Sequence, residues 1–135
     1  MERILEFLHS CDGFFLATSD PEVPYLPHLR PFGVVTVIDG RLYLCSNNTK
    51  ACFQQIIKNP WVELCALKGH NWLRLSGKLV CDQRPAVRAQ FLKDCPLPYY
   101  TYDDGIFEVF YFSEMTARYY DDITLEETQT FPVQV

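Results

Sequence analysis

Residues 30–50 have the sequence RPFGVVTVIDGRLYLCSNNTK and carry the clearest structural signal in the chain. Two apolar runs flank Asp39-Gly40, and an Asp-Gly pair between such runs is typical of a tight β-hairpin. After the second run, the polar segment 46–50 leads into apolar positions with helical spacing. This stretch therefore predicts two antiparallel strands, over 32–38 and 41–45, followed by a helix that Asn59-Pro60 ends.

Strand patterns dominate outward from this hairpin. Alternating apolar and aromatic residues predict further strands over 14–18, 25–29, 61–67, 72–81 and 106–120. Helical spacing predicts two more short amphipathic helices, over 1–10 and 82–93. Residues 95–104 are predicted as a loop and 121–135 as an acidic tail without a clear pattern. The predicted fold class is mainly β, a barrel of Greek-key-like antiparallel strands with two to three helices, in a single domain over 1–135.

Composition excludes several classes of protein. Of the 135 residues, 48% are hydrophobic and 15% aromatic, which is enough for one core. The net charge of -5 and the scattered Lys and Arg argue against a nucleic-acid or anionic-membrane partner. The chain has no apolar stretch long enough to span a membrane and no signal-peptide pattern, so a cytoplasmic location is expected.

Cysteine and histidine residues do not have the spacing of a metal site. No two of the six cysteines form a C-x-x-C pair, and most lie in apolar segments, so reduced and buried thiols are expected. The three histidines, His9, His28 and His70, are not spaced as metal ligands, and no metal is predicted. Of these, His28 lies two residues before Arg30 and is the one placed to border a pocket there.

The segment 46–50 also carries a candidate anion site. A helix N-terminus presents unpaired N–H groups and a partial positive charge, and Lys50 adds a cation. Arg30 lies one strand earlier, where antiparallel pairing can bring its planar guanidinium close. This set suits a phosphate. The alternative is ordinary helix capping by Asn48 or Thr49, with Lys50 as a solvated charge.

The strand predicted over 72–81 has two unlike faces. Because side chains alternate, Leu73, Leu75 and Leu79 would form a core face. Trp72, Arg74 and Ser76 would share the opposite face. That face is either a solvated sheet surface or a dimer contact that closes the partner's site, since Trp and Arg are enriched at interfaces.

The order and spacing of five motifs resemble those of the pyridoxamine 5'-phosphate oxidase-like flavoproteins, over about residues 14–120. The motifs are Arg30-Pro31-Phe32-Gly33, Gly40-Arg41-Leu42-Tyr43, Ser46-Asn47-Asn48-Thr49-Lys50, Asn59-Pro60 and Trp72-Leu73-Arg74-Leu75-Ser76-Gly77. The resemblance implies a split β-barrel that binds flavin mononucleotide (FMN) at a homodimer interface.

Site residues are implied by the same resemblance. Arg30, Ser46, Thr49 and Lys50 would hold the 5'-phosphate, with Pro31, Phe32 and Cys45 near the ribityl chain or the ring. Many relatives have Arg-Lys where this chain has Thr49-Lys50, which leaves one cation fewer. The full set of cofactor-binding residues that we predict is Arg30, Pro31, Phe32, Cys45, Ser46, Asn47, Asn48, Thr49, Lys50, Trp72 and Arg74.

The resemblance implies an FMN-dependent oxidoreductase or flavin reductase that acts on a small molecule. A nicotinamide would be the donor or a nitroaromatic the acceptor, and no residue stands out as an acid–base catalyst. Pyridoxamine 5'-phosphate oxidation itself is not expected, because the chain after Tyr120 has no Arg to grip that substrate. The alternatives are a non-enzymatic flavin-binding protein and a split barrel for haem or a deazaflavin. A haem protein would need an axial ligand from His9, His28 or His70.

Overall fold

The computed structural model describes residues 1–132. Its helices are α1 (Glu2–Ser10), α2 (Ala51–Lys58) and α3 (Pro85–Asp94). Its strands are β1 (Phe14–Asp20), β2 (Val23–Phe32), β3 (Val35–Ile38), β4 (Arg41–Asn47), β5 (Trp61–Lys68), β6 (Asn71–Asp82), β7 (Phe107–Asp121) and β8 (Thr124–Phe131).

One antiparallel sheet contains all eight strands, in the order β2-β1-β5-β6-β7-β4-β3, with β8 also paired to β7. Strand β7 pairs with β6 along one edge. Along the other edge, residues 107–111 pair with β4 and residues 115–121 pair with β8. The sheet therefore divides at β7 into two branches and curls into a split β-barrel. The predicted fold class, mainly β with three helices, is confirmed.

The sheet and helices enclose one large and one small apolar core. Inside the barrel, Leu16, Leu64, Leu73 and Leu75 are fully buried, and α1 covers this core with Ile4. A second cluster packs under α3, centred on Tyr43, Phe91 and Phe107, to which Val87 and Val109 also belong. The predicted core face of β6, with Leu73, Leu75 and Leu79, is confirmed. None of the helices within residues 1–132 is long and apolar enough to cross a membrane.

The hairpin between β3 and β4 is confirmed, but the strand before it is shorter than predicted. Asp39 and Gly40 both have positive φ, 51° and 75°, as a two-residue hairpin turn requires. The single strand predicted over 32–38 is wrong. Phe32 ends β2, where it pairs with Phe14 of β1, and Val35 begins β3, which pairs with β4. The chain leaves one branch of the sheet for the other between them, so no single ladder can span the segment.

The acidic tail contains a strand that its sequence did not predict. Residues 124–131 form β8, an antiparallel partner of β7. Most of its side chains are exposed, so it lacks the apolar alternation that marks a half-buried strand. Tyr119 donates a hydrogen bond to Gln129 (2.9 Å), and Arg3 pairs with Glu127. The weak pattern of the tail therefore hides a strand over 124–131 that was not predicted, and residues 133–135 lie outside the described part.

A buried tyrosine joins β4 to the end of β6. Tyr43 is fully buried and donates a hydrogen bond to Asp82 (2.9 Å). Arg84 donates to both oxygens of that carboxylate, at 3.1 and 2.9 Å. Burial, followed by the hydrogen bond to Asp82, raises the pKa of Tyr43 to about 12. The folded state therefore favours the neutral phenol.

Stability is expected to fall at high pH partly because of Tyr43. Unfolding returns its pKa to about 10, so its contribution is complete below pH ~10 and is lost as pH rises towards 12. The free energy of unfolding of the wild type should fall about 1 kcal/mol more than that of Tyr43→Phe between pH 9 and pH 11. Urea unfolding at several pH values measures this difference. Parallel pH profiles for the two proteins would contradict it.

Candidate functional site

A cleft of about 230 Å³ lies where the ends of β2 and β4 meet the N-terminus of α2 and the loop after α3. Six of the predicted cofactor-binding residues line it: Arg30, Pro31, Phe32, Cys45, Ser46 and Lys50. Six further residues complete the lining: Gly33, Val34, Cys52, Leu97, Tyr99 and Tyr100. Within the described part, one end is cationic and the remaining walls are apolar or aromatic.

Arg30 is fixed by neutral acceptors. Its Nη1 donates to the Leu16 carbonyl (3.3 Å) and to Oγ1 of Thr18 (2.7 Å). Its Nη2 donates to Oε1 of Gln55 (2.7 Å), on α2. Neither Arg30 nor Lys50 has a carboxylate within ion-pair distance anywhere in residues 1–132. Two uncompensated cations therefore border the same cleft.

The N-terminus of α2 has no side-chain cap. The predicted capping by Asn48 or Thr49 is wrong, because Lys50 occupies the cap position and makes no side-chain hydrogen bond to the helix. Thr49 instead donates from its backbone N–H to Oδ1 of Asn47 (3.0 Å), and its hydroxyl binds the same oxygen. The first-turn amides of α2 are thus left without a side-chain acceptor and lie at the cationic end of the cleft.

The neighbouring asparagines shape the segment that carries Lys50. Asn47 donates through Nδ2 to the hydroxyl of Tyr100 (2.6 Å). Asn48 donates through Nδ2 to the Gly105 carbonyl (2.8 Å) and to Oε1 of Glu108 (3.1 Å). Asn47, Asn48 and Thr49 do not line the cleft within one protomer. These contacts instead fix the chain on either side of the cationic end.

Ser46 and two cysteines form the floor of the cleft. Ser46 is 5% exposed, and its hydroxyl has no hydrogen-bond partner in the described part of the chain. Burial raises the pKa of Cys45 to about 12, so this thiol stays protonated at neutral pH. Burial also raises the pKa of Cys52, against the opposing charges of Arg30 and Lys50. The positive charges of Arg30 and Lys50 both lower the pKa of this one thiol, near the start of α2.

The cysteine prediction is only partly correct. All six residues carry free thiols, but Cys52 alone is buried and the other five are half-buried. The reason is that an apolar segment in a sheet has an outer face as well as a core face. Cys65, for example, alternates with buried Leu64 and Ala66 on β5.

The cleft has an aromatic wall that was not predicted from the sequence. Tyr99 is 70% exposed and packs edge-on against Tyr100, with ring centroids 4.7 Å apart. Tyr100 in turn packs on Phe107 of β7 (5.0 Å). The Pro- and Tyr-rich composition of 95–104 was the available signal, since aromatic side chains in an otherwise polar loop need a surface to cover.

Trp72 and Arg74 lie on the outer face of β6, away from the cleft of their own chain. Trp72 stacks on Tyr120, with ring centroids 3.8 Å apart, and donates through Nε1 to the Asp122 carbonyl (2.6 Å). Arg74 forms an ion pair with Glu63 (2.5 Å). Their predicted role at a partner's site stays a prediction.

A metal centre finds no support in the arrangement of side chains. Within residues 1–132, no group of three or more His, Cys, Asp or Glu side chains is placed to hold a metal ion. His28 is on β2 opposite Thr18 but is not among the cleft residues, so it does not border the pocket as proposed. No histidine lines the cleft in the described part.

Comparison with known proteins agrees with the fold and the motifs. The sequence model of the family described as "Pyridoxamine 5'-phosphate oxidase" matches residues 1–95. The crystal structure of a NimC/NimA family protein from Clostridium acetobutylicum is 40% identical with a TM-score of 0.88, covering 97% of this chain and 93% of that one. The General Stress Protein 26 from Bacillus anthracis str. Sterne is 16% identical with a TM-score of 0.69, covering 96% and 97%. No match was found among curated proteins.

The single antiparallel sheet, divided at β7 and carrying a cleft at a helix N-terminus, defines a split-barrel protein. The family match and the NimC/NimA relative then place the chain more narrowly. The chain belongs to the pyridoxamine 5'-phosphate oxidase-like family, as the sequence motifs predicted.

Proposed function

We propose that this protein binds FMN in the cleft and works as a flavin-dependent oxidoreductase on a small molecule. The observation that carries the proposal is the cationic end of the cleft. There Arg30 and Lys50, neither paired with a carboxylate in residues 1–132, line the same cleft as Ser46, whose buried hydroxyl has no partner in that part of the chain. Buried polar groups normally have partners, so donors of this kind suit a bound anion.

A phosphomonoester fits these donors better than a carboxylate does. It carries about -1.5 to -2 charges at pH 7 and has three acceptor oxygens. Arg30 would bind it with its planar fork, Lys50 as a point charge and Ser46 through its hydroxyl. The uncapped amides of α2 add the favourable end of the helix dipole.

The apolar walls suit a flat ring system. Pro31, Phe32 and Val34 lie on one side, and Leu97 and Tyr99 on the loop side. Bound FMN would supply a ring that accepts and releases electrons. Cys45 stays protonated, and no carboxylate or histidine lines the cleft in residues 1–132. The protein would therefore supply orientation and exclusion of water, and the flavin ring would carry the electron transfer.

The family resemblance suggests a nicotinamide donor and a nitroaromatic or similar small acceptor. A second possibility is flavin binding without turnover, which the absence of carboxylates and histidines from the described lining favours. A haem protein is disfavoured, because no histidine in the described chain faces the cleft.

The test is the absorption spectrum of the purified protein, with the mass of any released cofactor. The proposal expects flavin bands and released FMN, or stoichiometric uptake of added FMN. Anaerobic reduction of the bound flavin by a nicotinamide, followed by reoxidation with a nitroaromatic, separates the enzyme from a flavin carrier. A protein that neither contains nor takes up FMN would overturn the proposal.

We further propose that a second copy of the chain completes the site. The cleft of about 230 Å³ is smaller than the ~300–1,000 Å³ typical of ligand sites. Pro31, at the rim of the cleft, lies on the outer face of the sheet, on the same side as Phe15. Residues directly opposite each other on paired strands share a face. One row across that face is Pro31, Phe15, Cys65, Arg74 and Arg118.

This outer face carries exposed apolar side chains, as an interface would. Leu29 is 68% exposed and Phe15 51% exposed on neighbouring strands, and Leu67 lies opposite Trp72 at the other end of the face. Exposed apolar patches of this kind are typical of protein contacts. A copy seated here would carry Trp72 and Arg74 towards its partner's cleft.

Leu29→Glu is expected to weaken the dimer, because it would bury a carboxylate among apolar groups. The dissociation constant should rise at least about 30-fold, equivalent to about 2 kcal/mol. Sedimentation velocity measures the shift from dimer to monomer. Ile123→Glu, at the 91% exposed turn between β7 and β8, is the matched control and should stay dimeric. A wild type that is monomeric with FMN bound would contradict the interface.

A further inference from the structure

The guanidinium of Arg30 is held by a small network of neutral side chains. Oε1 of Gln55 accepts hydrogen bonds from both Nη2 of Arg30 (2.7 Å) and the hydroxyl of Thr18 (2.7 Å). Oγ1 of Thr18 also accepts from Nη1 of Arg30 (2.7 Å). The three side chains thus form a closed triangle between β1, β2 and α2. Thr18 is 3% exposed and Gln55 9% exposed.

This network is unusual in its charge. A partly buried arginine is most often paired with a carboxylate, because removing its charge from water is costly. Glutamate would place an oxygen where Oε1 of Gln55 stands and would accept the same two hydrogen bonds. The chain has a carboxamide there, so the position of Arg30 is fixed while its charge is left uncompensated.

Two N–H donors of Arg30 have no acceptor in the described part of the chain. A guanidinium has five N–H donors, and three of these have acceptors within residues 1–132. Two donors therefore remain on a side chain that lines the cleft beside Ser46 and Lys50.

We propose that Gln55 is the positioning residue that makes the cleft selective for a phosphomonoester. Its neutral oxygen holds Arg30 in place and leaves its positive charge for a phosphate dianion, so that FMN is bound in preference to riboflavin. The inference rests on the proposed function for the identity of the ligand. The inference adds Gln55, which does not line the cleft, and explains why the cleft would prefer a negatively charged ligand.

Gln55→Glu tests this directly. The new carboxylate keeps both hydrogen bonds and pairs with Arg30, so the fold should be retained, with an unchanged or higher melting temperature. The phosphate then loses a charge-assisted contact and meets an added negative charge. We expect FMN affinity to fall about 10- to 100-fold, while riboflavin affinity changes less than about threefold. The ratio of the two dissociation constants is the readout, because a merely structural defect would weaken both ligands.

Two further variants isolate the cause. Gln83→Glu places the same charge at an exposed position between β6 and α3, outside the cleft, and should leave the ratio near that of the wild type. Gln55→Met keeps the length but removes the acceptor, so Arg30 loses one of its three hydrogen bonds without gaining a negative neighbour. FMN affinity should therefore fall less than in Gln55→Glu. Equal FMN affinity in Gln55→Glu and wild type, or equal losses for FMN and riboflavin, would overturn the inference.

Inorganic phosphate separates this inference from the proposed function. If the wild type binds neither flavin but binds phosphate, as measured by amide chemical shifts, the FMN proposal fails. The inference then stands or falls on whether Gln55→Glu weakens phosphate binding at least tenfold. If the wild type binds neither flavin nor phosphate, both proposals are overturned.

Discussion

Lys50→Glu is expected to abolish the retention of FMN. Lys50 is an exposed side chain at the N-cap of α2 that lines the cleft and has no ion-pair partner in the described chain. Replacing it turns an attraction for the phosphate into a repulsion, next to only one remaining cation. Affinity should fall at least about 100-fold, since charged hydrogen bonds contribute about 1.5–3 kcal/mol each and the charge is reversed as well.

The measurement is FMN content after purification and gel filtration, followed by titration with added FMN. Lys58→Glu is the matched control: it lies on the same helix at the far end, paired with Glu22 (3.4 Å), and it does not line the cleft. It should retain FMN as the wild type does. A Lys50→Glu protein that purifies with a full complement of flavin would show that the phosphate end is assigned to the wrong place.

Gly77→Ala is expected to cost about 3 kcal/mol or more of folding stability. A Cβ at this position of β6 would lie 2.3 Å from the Glu114 carbonyl oxygen and 3.1 Å from Cα of Met115. Both are backbone atoms of β7, so no side-chain rotation can relieve the overlap. Overpacking of this kind exceeds the usual range because the paired strands must separate.

Urea unfolding of the purified proteins measures this loss. Gly33→Ala is the control, because a Cβ there meets no atom within 4 Å and its φ is not in the left-handed region. Its free energy of unfolding should stay within about 0.5 kcal/mol of the wild type. Equal stability of the Gly77→Ala and Gly33→Ala proteins would mean that β6 and β7 approach less closely than described.

The elements that the sequence predicts well are those with local causes. The Asp39-Gly40 turn and the alternating faces of β6 each depend on residues next to one another, so a pattern of a few letters is enough. The candidate phosphate end was found in the same way, since the polar segment before α2 is local. Arg30 was placed near this end on the expectation of antiparallel pairing with the hairpin. It does line the cleft, but β2 pairs with β1 instead, so the reason for its placement was wrong.

Features that depend on distant parts of the chain were not predictable from such patterns. Gln55 lies 37 residues from Thr18, and its hydrogen bonds to Thr18 and Arg30 exist only after α2 has packed on β1 and β2. Tyr100 lies 53 residues from Asn47. The strand β8 is mostly exposed and has little apolar alternation, so only its pairing with β7 identifies it as a strand.

One edge of β7 pairs with both β4 and β8, and the pairing with β4 determines when the cleft can form. The strand β4 carries Cys45 and Ser46, and its ladder partners on β7 are residues 107–111. A chain growing from the ribosome therefore cannot complete this wall until most of its residues have been synthesised, since folding follows the order of emergence only where contacts are local. The cleft is thus assembled late in synthesis, and a chain released early would have the β3–β4 hairpin without a complete cleft.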